Sequence, residues 1–209
     1  QELYAQVAGS VSLTGLNVLE IGCGRGGGAA YVSKVCHPKS FVGIDFSAHN
    51  IRFCRNNHPI QGLQFLNAEA SDLPFHSETF DATINIESSH GYQDERKFFQ
   101  SAARVLKPDG HFLFADFRLR HILPGLRKTI ADAGLSIIME KDITENVLHA
   151  LNLDSPRMRT LIRTHFPVDV QSLLLESTAV VGTTRHALIA GGFLRYVQIV
   201  AKKTARRPI

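Results

Sequence analysis

A glycine-rich turn that directly follows an aliphatic run is the feature that most restricts the fold of this chain. The run Val18–Ile21 ends in "GCGRGGG" (22–28), in which five of seven residues are glycine. A short apolar run of this kind is typical of a buried strand. Consecutive glycines let the backbone itself, without side chains, approach another group closely. The segment therefore predicts a strand, a tight turn and a helix arranged around a ligand.

The turn fits two patterns of adenosine-containing ligands. Gly22, Gly24 and Gly27 form the G-x-G-x-x-G pattern of dinucleotide sites. Glu20 with Gly22, Gly24 and Gly26 forms the acidic-x-G-x-G-x-G pattern of S-adenosylmethionine sites. A dinucleotide sets its pyrophosphate over such a turn, and a carboxylate at the root of the turn would repel it. Glu20 therefore favours S-adenosylmethionine, whose ammonium and sulfonium it attracts, over NAD and an NAD-linked oxidoreductase.

Strand-like and helix-like segments alternate after the turn. This alternation predicts an α/β fold with a doubly wound, Rossmann-like parallel sheet. Ligands of such sheets bind at the carboxyl ends of the strands, near the point where the strand order reverses. The predicted strands are 17–21, 41–45, 63–67, 80–86 and 111–117.

The pattern changes after Arg118. It predicts a helix closed by Gly134, a strand from Leu135, and helices over 144–190 that break at Pro156 and Pro167. We expect one domain over 1–209, with its core at 17–143, a helical lid at 144–190 and a final strand at 192–203. The lid helices could equally be further packing. The chain opens in what resembles the end of a helix, so we expect N-terminal helices to be absent from this sequence.

Composition narrows the class of protein. Hydrophobic residues make up 44% of the chain, which is ordinary for a globular domain. No apolar run approaches the ~20 residues that span a bilayer, and no signal peptide is evident. Three cysteines without C-x-x-C spacing argue against structural zinc and a disulfide scaffold. We expect a cytoplasmic protein with no metal, with no nucleic-acid partner at a net charge of +4, and with an undetermined oligomeric state.

Acidic residues follow the second and third predicted strands. Asp45 lies about 20 residues past the turn, where a carboxylate accepts hydrogen bonds from ribose hydroxyls. Ser47 is the better candidate for capping the next helix. Glu69 can accept from an adenine amino group, and the Ala70 N–H can face a ring nitrogen. The predicted cofactor-binding residues are Glu20, Gly22, Cys23, Gly24, Gly26, Asp45, Phe46, Glu69, Ala70 and Glu87.

These residues together carry a family resemblance. The segments "VLEIGCGRGGG", "GIDFS", "AEASDLPF", "FDATINIESSH" and "RVLKPDGHFLFADF" resemble, in order and spacing, the motifs of class I S-adenosylmethionine-dependent methyltransferases. The closer likeness is to small-molecule O-methyltransferases of lipid, polyketide and sugar natural-product pathways, including the phthiotriol type. The resemblance implies a seven-stranded, mostly parallel sheet with an antiparallel last strand. It also implies a small acceptor that is methylated on oxygen.

The segment "NIESSHGY" after the fourth strand holds the candidate base. In related sugar O-methyltransferases, a histidine and an aspartate at matching places are thought to act together, which implies His90 and Asp116. A histidine titrates in the useful range for taking a hydroxyl proton. Glu87 is the second candidate base. C- or N-methylation of a small molecule, nucleic-acid methylation and a non-catalytic cofactor-binding domain remain alternatives, although "NIES" replaces the segment that nucleic-acid enzymes carry there.

Overall fold

The computed structural model describes residues 2–204. Within these residues, a helix separates successive strands as far as the fifth strand, except that the third strand is followed directly by the fourth. The strands are β1 (Asn17–Ile21), β2 (Ser40–Asp45), β3 (Leu63–Asn67), β4 (Phe80–Ile86), β5 (Leu106–Leu119), β6 (Leu135–Asp142) and β7 (Leu194–Lys203). The helices are α1 (Glu2–Ala8), α2 (Gly27–Cys36), α3 (Ala48–Asn57), α4 (Glu95–Val105), α5 (Leu123–Asp132), α6 (Thr144–His165), α7 (Val168–Ser177) and α8 (Thr184–Ala190).

The strands form one seven-stranded sheet in the order β3-β2-β1-β4-β5-β7-β6. The pairs β1–β2, β2–β3, β1–β4 and β4–β5 are parallel, and the last strand is antiparallel. The predicted fold class is therefore confirmed. The strand order reverses between β1 and β4, so the carboxyl ends of these two strands open the crevice in which doubly wound sheets bind ligands.

Apolar side chains cover both faces of the central strands. On one face, Val18 and Ile84 pack with Ala29 and Val32 of α2, all fully buried. A second cluster joins α4 to β5, where the rings of Phe98, Phe99, Phe112 and Phe114 are fully buried with centroids 4.7–6.1 Å apart. Truncating one such phenylalanine to alanine typically costs about 3–5 kcal/mol. The two clusters hold the central strands, and hence their carboxyl ends, in fixed positions.

Strand β5 begins five residues earlier than predicted. Phe80 pairs with Leu106 and Ala82 pairs with His111, so one residue of β4 faces the four residues 107–110. This register shift is a β-bulge, in which Asp109 adopts a φ of +60°. The segment "KPDG", which we predicted as a break between helix and strand, is thus an irregularity inside the strand.

The predicted helix break at Pro156 is wrong, whereas the break at Pro167 is confirmed. Pro156 lies inside α6, and Pro167 caps α7. An internal proline costs a helix about 3 kcal/mol, so other contacts must offset it. The neighbouring Ser155 is buried, donates to the Leu151 carbonyl at 2.7 Å, and accepts the Val181 N–H at 2.9 Å. Tertiary contacts therefore keep α6 continuous.

Contacts divide the described residues into two compact units. The first comprises residues 2–116, 124–140 and 198–204, and it holds the glycine turn and β1–β4. The second comprises Phe117–Leu123 and Lys141–Val197, and in it α6, α7 and α8 pack against one another. That these helices form a lid over a ligand stays a prediction, as does the single domain. Across residues 2–204, no helix combines the length and apolar content required to cross a bilayer.

Candidate functional site

The glycine turn is held by the neighbouring strand. The N–H groups of Gly22 and Cys23 both donate to the Ile44 carbonyl, at 2.9 and 2.8 Å. Gly22 has a φ of +78°, and a Cβ there would lie 2.5 Å from the hydroxyl oxygens of Ser88 and Tyr92. Glycine is needed at this position because the loop after β4 packs directly on the backbone of the turn.

Asp45 ties the glycine turn to the start of α3. Its Oδ2 accepts the Gly24 N–H at 2.9 Å, and its Oδ1 accepts the Ser47 N–H at 2.9 Å and the Asn50 side-chain amide at 3.2 Å. Ser47 caps α3 by accepting the Asn50 N–H, as predicted. Asp45 therefore has a structural role in the turn in addition to the ribose contact that we predict for it.

A cavity of about 500 Å³ opens at the carboxyl ends of β1, β2 and β3. This volume lies in the range of small-molecule sites. Five of the predicted cofactor residues line it: Gly22, Asp45, Phe46, Glu69 and Ala70. The Phe46 side chain is 77% exposed, which is unusual for a large apolar ring. The remaining wall residues are Ile44, Ala68, Ser71, Ser88, Gly91, Tyr92, Gln93, Asp94 and Lys97.

The charge of the cavity wall favours a cationic ligand. Among the wall residues that the structure describes, Asp45, Glu69 and Asp94 bring carboxylates, and Lys97 is the basic one. Lys97 lies 3.7 Å from Asp94, so these two charges offset each other, and Asp45 and Glu69 leave the wall acidic. A pyrophosphate would face this acidic wall, whereas a sulfonium and an ammonium are attracted to it. The residues present thus fit S-adenosylmethionine and oppose a dinucleotide.

Glu20 is fully buried and is not among the residues that line the cavity. The Tyr4 hydroxyl donates to its Oε1 at 2.6 Å, and its Oε2 has no hydrogen-bond partner among residues 2–204. Burial raises the pKa of Glu20 to about 7, and the nearby charge of Asp45 acts in the same direction, while the Tyr4 hydrogen bond opposes both. With this pKa, Glu20 is only partly ionised near neutral pH, and its attraction for a cationic cofactor stays a prediction.

The other predicted cofactor residues also lie outside the cavity wall. Cys23 is buried, and burial raises the pKa of its thiol, so it remains protonated. A Cβ at Gly26 would lie 2.9 Å from Cys54 Sγ, so this glycine serves packing. Glu87 is exposed, has a φ of +50°, and donates its N–H to the Ala115 carbonyl at 2.8 Å. Gly24 contributes its N–H to Asp45.

The structure brings His90 and Asp116 together. His90 Nδ1 lies 2.8 Å from Asp116 Oδ1, and the His90 backbone N–H donates to Oδ2 at 3.0 Å. A carboxylate only accepts, so this contact places an imidazole hydrogen on Nδ1. Asp116 is fully buried, whereas the His90 side chain is 34% exposed. The pair thus combines a fixed carboxylate with an imidazole that solvent can reach.

Sequence reasoning missed two groups of polar residues. Ser89 is buried and donates from its hydroxyl to Asp116 Oδ2 at 2.8 Å. The Tyr92 hydroxyl contacts Ser88 Oγ at 3.0 Å and the Asn85 amide nitrogen at 3.1 Å, on the cavity side of the turn. All of these residues except Asp116 belong to the segment "NIESSHGY". The spacing of that segment does not reveal which of its side chains bond to Asp116 and which bond to one another.

Comparisons with known proteins agree with this geometry. The sequence profile of a family described as "Methyltransferase domain" matches residues 19–114. A phthiotriol/phenolphthiotriol dimycocerosates methyltransferase of Mycobacterium leprae is 35% identical over 194 residues, which cover 93% of this chain and 72% of the relative. A fatty-acid O-methyltransferase of Mycolicibacterium smegmatis is 40% identical over 156 residues, which cover 74% of this chain and 57% of the relative.

Solved structures share the fold. The phosphoethanolamine N-methyltransferase 2 of Haemonchus contortus, solved with S-adenosyl-L-methionine, superposes with a TM-score of 0.84 at 17% identity. The superposition covers 98% of this chain and 53% of that one. At 17% identity this likeness shows the fold alone. The family is shown by the relatives with similar sequences.

Proposed function

The chain belongs to the class I S-adenosylmethionine-dependent methyltransferases, and from that premise we propose that it methylates a hydroxyl group of a small, apolar, lipid-like acceptor. The family makes the chain a methyltransferase that uses S-adenosylmethionine. The acceptor class is supported by two relatives, one named for phthiotriol dimycocerosates and one for fatty acids. The observation that carries the hydroxyl is the contact between His90 Nδ1 and buried Asp116.

The cavity residues have separable roles toward the cofactor in this proposal. Asp45 accepts from ribose hydroxyls, while Glu69 and the Ala70 N–H face the adenine edge. Gly22 gives the backbone room for the methionine portion, and Glu20 attracts its ammonium from behind the turn. The bound cofactor supplies an electrophilic methyl group on a sulfonium. The protein's task is to hold the acceptor oxygen in line with that methyl group, which can supply about 7–11 kcal/mol.

His90 serves as the general base. A neutral hydroxyl is a poor nucleophile, so removing its proton as the carbon–oxygen bond forms accelerates transfer by about 10²–10⁴-fold. The proton moves from the acceptor oxygen to His90 Nε2. Asp116 keeps the other ring nitrogen protonated and stabilises the imidazolium that forms. Glu87 is the second candidate for the base.

Paired acceptors test this proposal. A long-chain alcohol needs a base, whereas a fatty acid is already ionised at neutral pH and needs none. We expect His90→Ala to lower turnover of the alcohol about 100-fold or more while leaving cofactor affinity and turnover of the fatty acid near the parent values. Mass spectrometry of the methylated products measures the turnover of both acceptors. Equal losses for the two acceptors, or an unchanged alcohol rate, would remove His90 as the base and make Glu87→Gln the next variant.

A further inference from the structure

Tyr4 reaches the root of the glycine turn from α1. Its ring lies over Gly28, where a Cβ would collide with it. Its hydroxyl donates to Glu20 Oε1 at 2.6 Å. Burial and the neighbouring Glu20 charge raise the pKa of Tyr4 far above its usual range, so the hydroxyl keeps its proton and remains the donor.

This hydrogen bond leaves the Glu20 carboxylate half satisfied. Oε1 is bonded to Tyr4, and Oε2 is buried with no partner among the described residues. A buried carboxylate in this state is costly to ionise unless a positive charge is nearby. Gly22, two residues after Glu20, lines the cavity in which the cationic cofactor binds under the proposed function. The hydrogen bond from Tyr4 and a cation in the cavity would therefore both stabilise the ionised form of the Glu20 carboxylate.

Helix α1 is anchored without the Tyr4 hydroxyl. Val7 and Ala8 are buried in the core. The Gln6 amide donates to Gln198 Oε1 at 2.7 Å, and the Gln198 amide donates to Ser10 Oγ at 2.8 Å. Removing the hydroxyl from Tyr4 therefore changes the Glu20 contact while leaving the helix docked.

We propose that Tyr4 is a positioning residue of the cofactor site: its hydroxyl holds the Glu20 carboxylate, in its ionised form, beneath the glycine turn and so strengthens binding of a cationic cofactor. Coupling of this kind is reciprocal. Bound cofactor in turn stabilises the Tyr4–Glu20 contact and with it the docking of α1. The inference rests on the family's cofactor and is independent of the acceptor and of His90.

A double-mutant cycle separates this role from simple packing. The variants are Tyr4→Phe, Glu20→Gln and the double variant, and the measurement is the affinity for S-adenosylmethionine by calorimetry. If Tyr4 acts through Glu20, Tyr4→Phe weakens binding about 5- to 10-fold in the parent and has no effect in the Glu20→Gln background. Tyr31→Phe is the matched control, because Tyr31 is a partly buried tyrosine on α2 that packs on the same core. Its affinity should equal that of the parent.

The pH profile supplies a second readout. The Tyr4 hydrogen bond lowers the pKa of Glu20, so its loss should move the rise of affinity with pH to higher pH in Tyr4→Phe. The other titratable groups that act on the Tyr4–Glu20 pair are Asp45 on β2, the thiols of Cys23 and Cys54, and Glu87 after β4, and all of them remain in this variant. Equal losses in both backgrounds, or an unshifted profile, would overturn the proposal. Thermal unfolding of each variant checks that the fold persists.

Discussion

Replacing Asp116 by asparagine tests the arrangement around His90 most sharply. Asp116 Oδ2 accepts from both Ser89 Oγ and the His90 N–H, whereas Oδ1 accepts from His90 Nδ1. An amide has a single oxygen, so it can replace only one of these two acceptors. Keeping that oxygen at the Oδ2 position preserves two hydrogen bonds, and the amide nitrogen then faces His90 Nδ1. The imidazole hydrogen must move to Nε2, where it blocks the proposed base.

The size of the effect follows from this exchange. Hydrogen bonds to a charged group contribute about 1.5–3 kcal/mol and neutral ones about 0.5–1.5 kcal/mol, so the variant should lose about 1–3 kcal/mol of unfolding free energy. The variant should stay folded, because the free energy of unfolding of a typical domain is about 5–15 kcal/mol. A carboxylate-to-amide change at the orienting residue of a Ser–His–Asp triad lowers turnover about 10⁴-fold. For Asp116→Asn we expect turnover of an alcohol acceptor to fall at least about 10²-fold.

Three measurements check the reasoning. Nitrogen NMR of His90 reports which ring nitrogen carries the hydrogen, calorimetry reports cofactor affinity, and product mass spectrometry reports turnover. Ser89→Ala is the matched control, because it removes one hydrogen bond and keeps the carboxylate, so turnover should fall less than about 10-fold. If His90 carries its ring hydrogen on Nε2 in the Asp116→Asn variant and the variant still methylates the alcohol at a rate within about threefold of the parent's, His90 is not the base.

Three further outcomes are expected. Gly22→Ala should destabilise the fold by about 1–3 kcal/mol in chemical unfolding, because it combines a strained φ with a clash against Tyr92; an unchanged midpoint would mean that the loop moves away freely. The pKa of Glu20 is raised to about 7, so the stability that its protonation contributes is fully present below the unfolded pKa and is lost as pH rises through about 7, at a cost of roughly 3–4 kcal/mol; Glu20→Gln should flatten that dependence in pH-resolved thermal unfolding of the cofactor-free chain. Asp45→Ala should weaken S-adenosylhomocysteine binding and also destabilise the turn, because the Gly24 N–H loses its acceptor, and a folded variant with parental affinity would remove the ribose role.

The sequence predicted the strands and the glycine turn that surround the cavity. Alternating buried strands and helices predicted a parallel doubly wound sheet, because both faces of such strands must be apolar. The turn at Gly22 and the acid at Asp45 were predictable because backbone conformation and strand ends are local properties. Asp45 and Glu69 both line the cavity as expected.

Local pattern failed where distant contacts compete with it. Pro156 reads as a helix break, yet contacts of Ser155 keep α6 continuous. Tyr4 reads as an ordinary helical residue, and nothing within α1 reveals that its hydroxyl reaches Glu20, 16 residues away. Such contacts depend on how elements pack, which a pattern of neighbours in sequence does not record.

Residue types and the order of strands predicted a cationic, adenosine-type cofactor and an acidic, glycine-rich turn at one edge of a sheet, because the carboxyl ends of parallel strands meet at the same edge. Which of those charges line the cavity depends on the packing of the folded chain. Asp45 and Glu69 line it, Glu20 is bonded to Tyr4 and does not, and Ser89 and His90 bond to Asp116 across 26 or more positions of the chain. The physical reason is that hydrogen bonds of this kind require angstrom-scale approach of side chains from separate elements, and core packing alone fixes that approach.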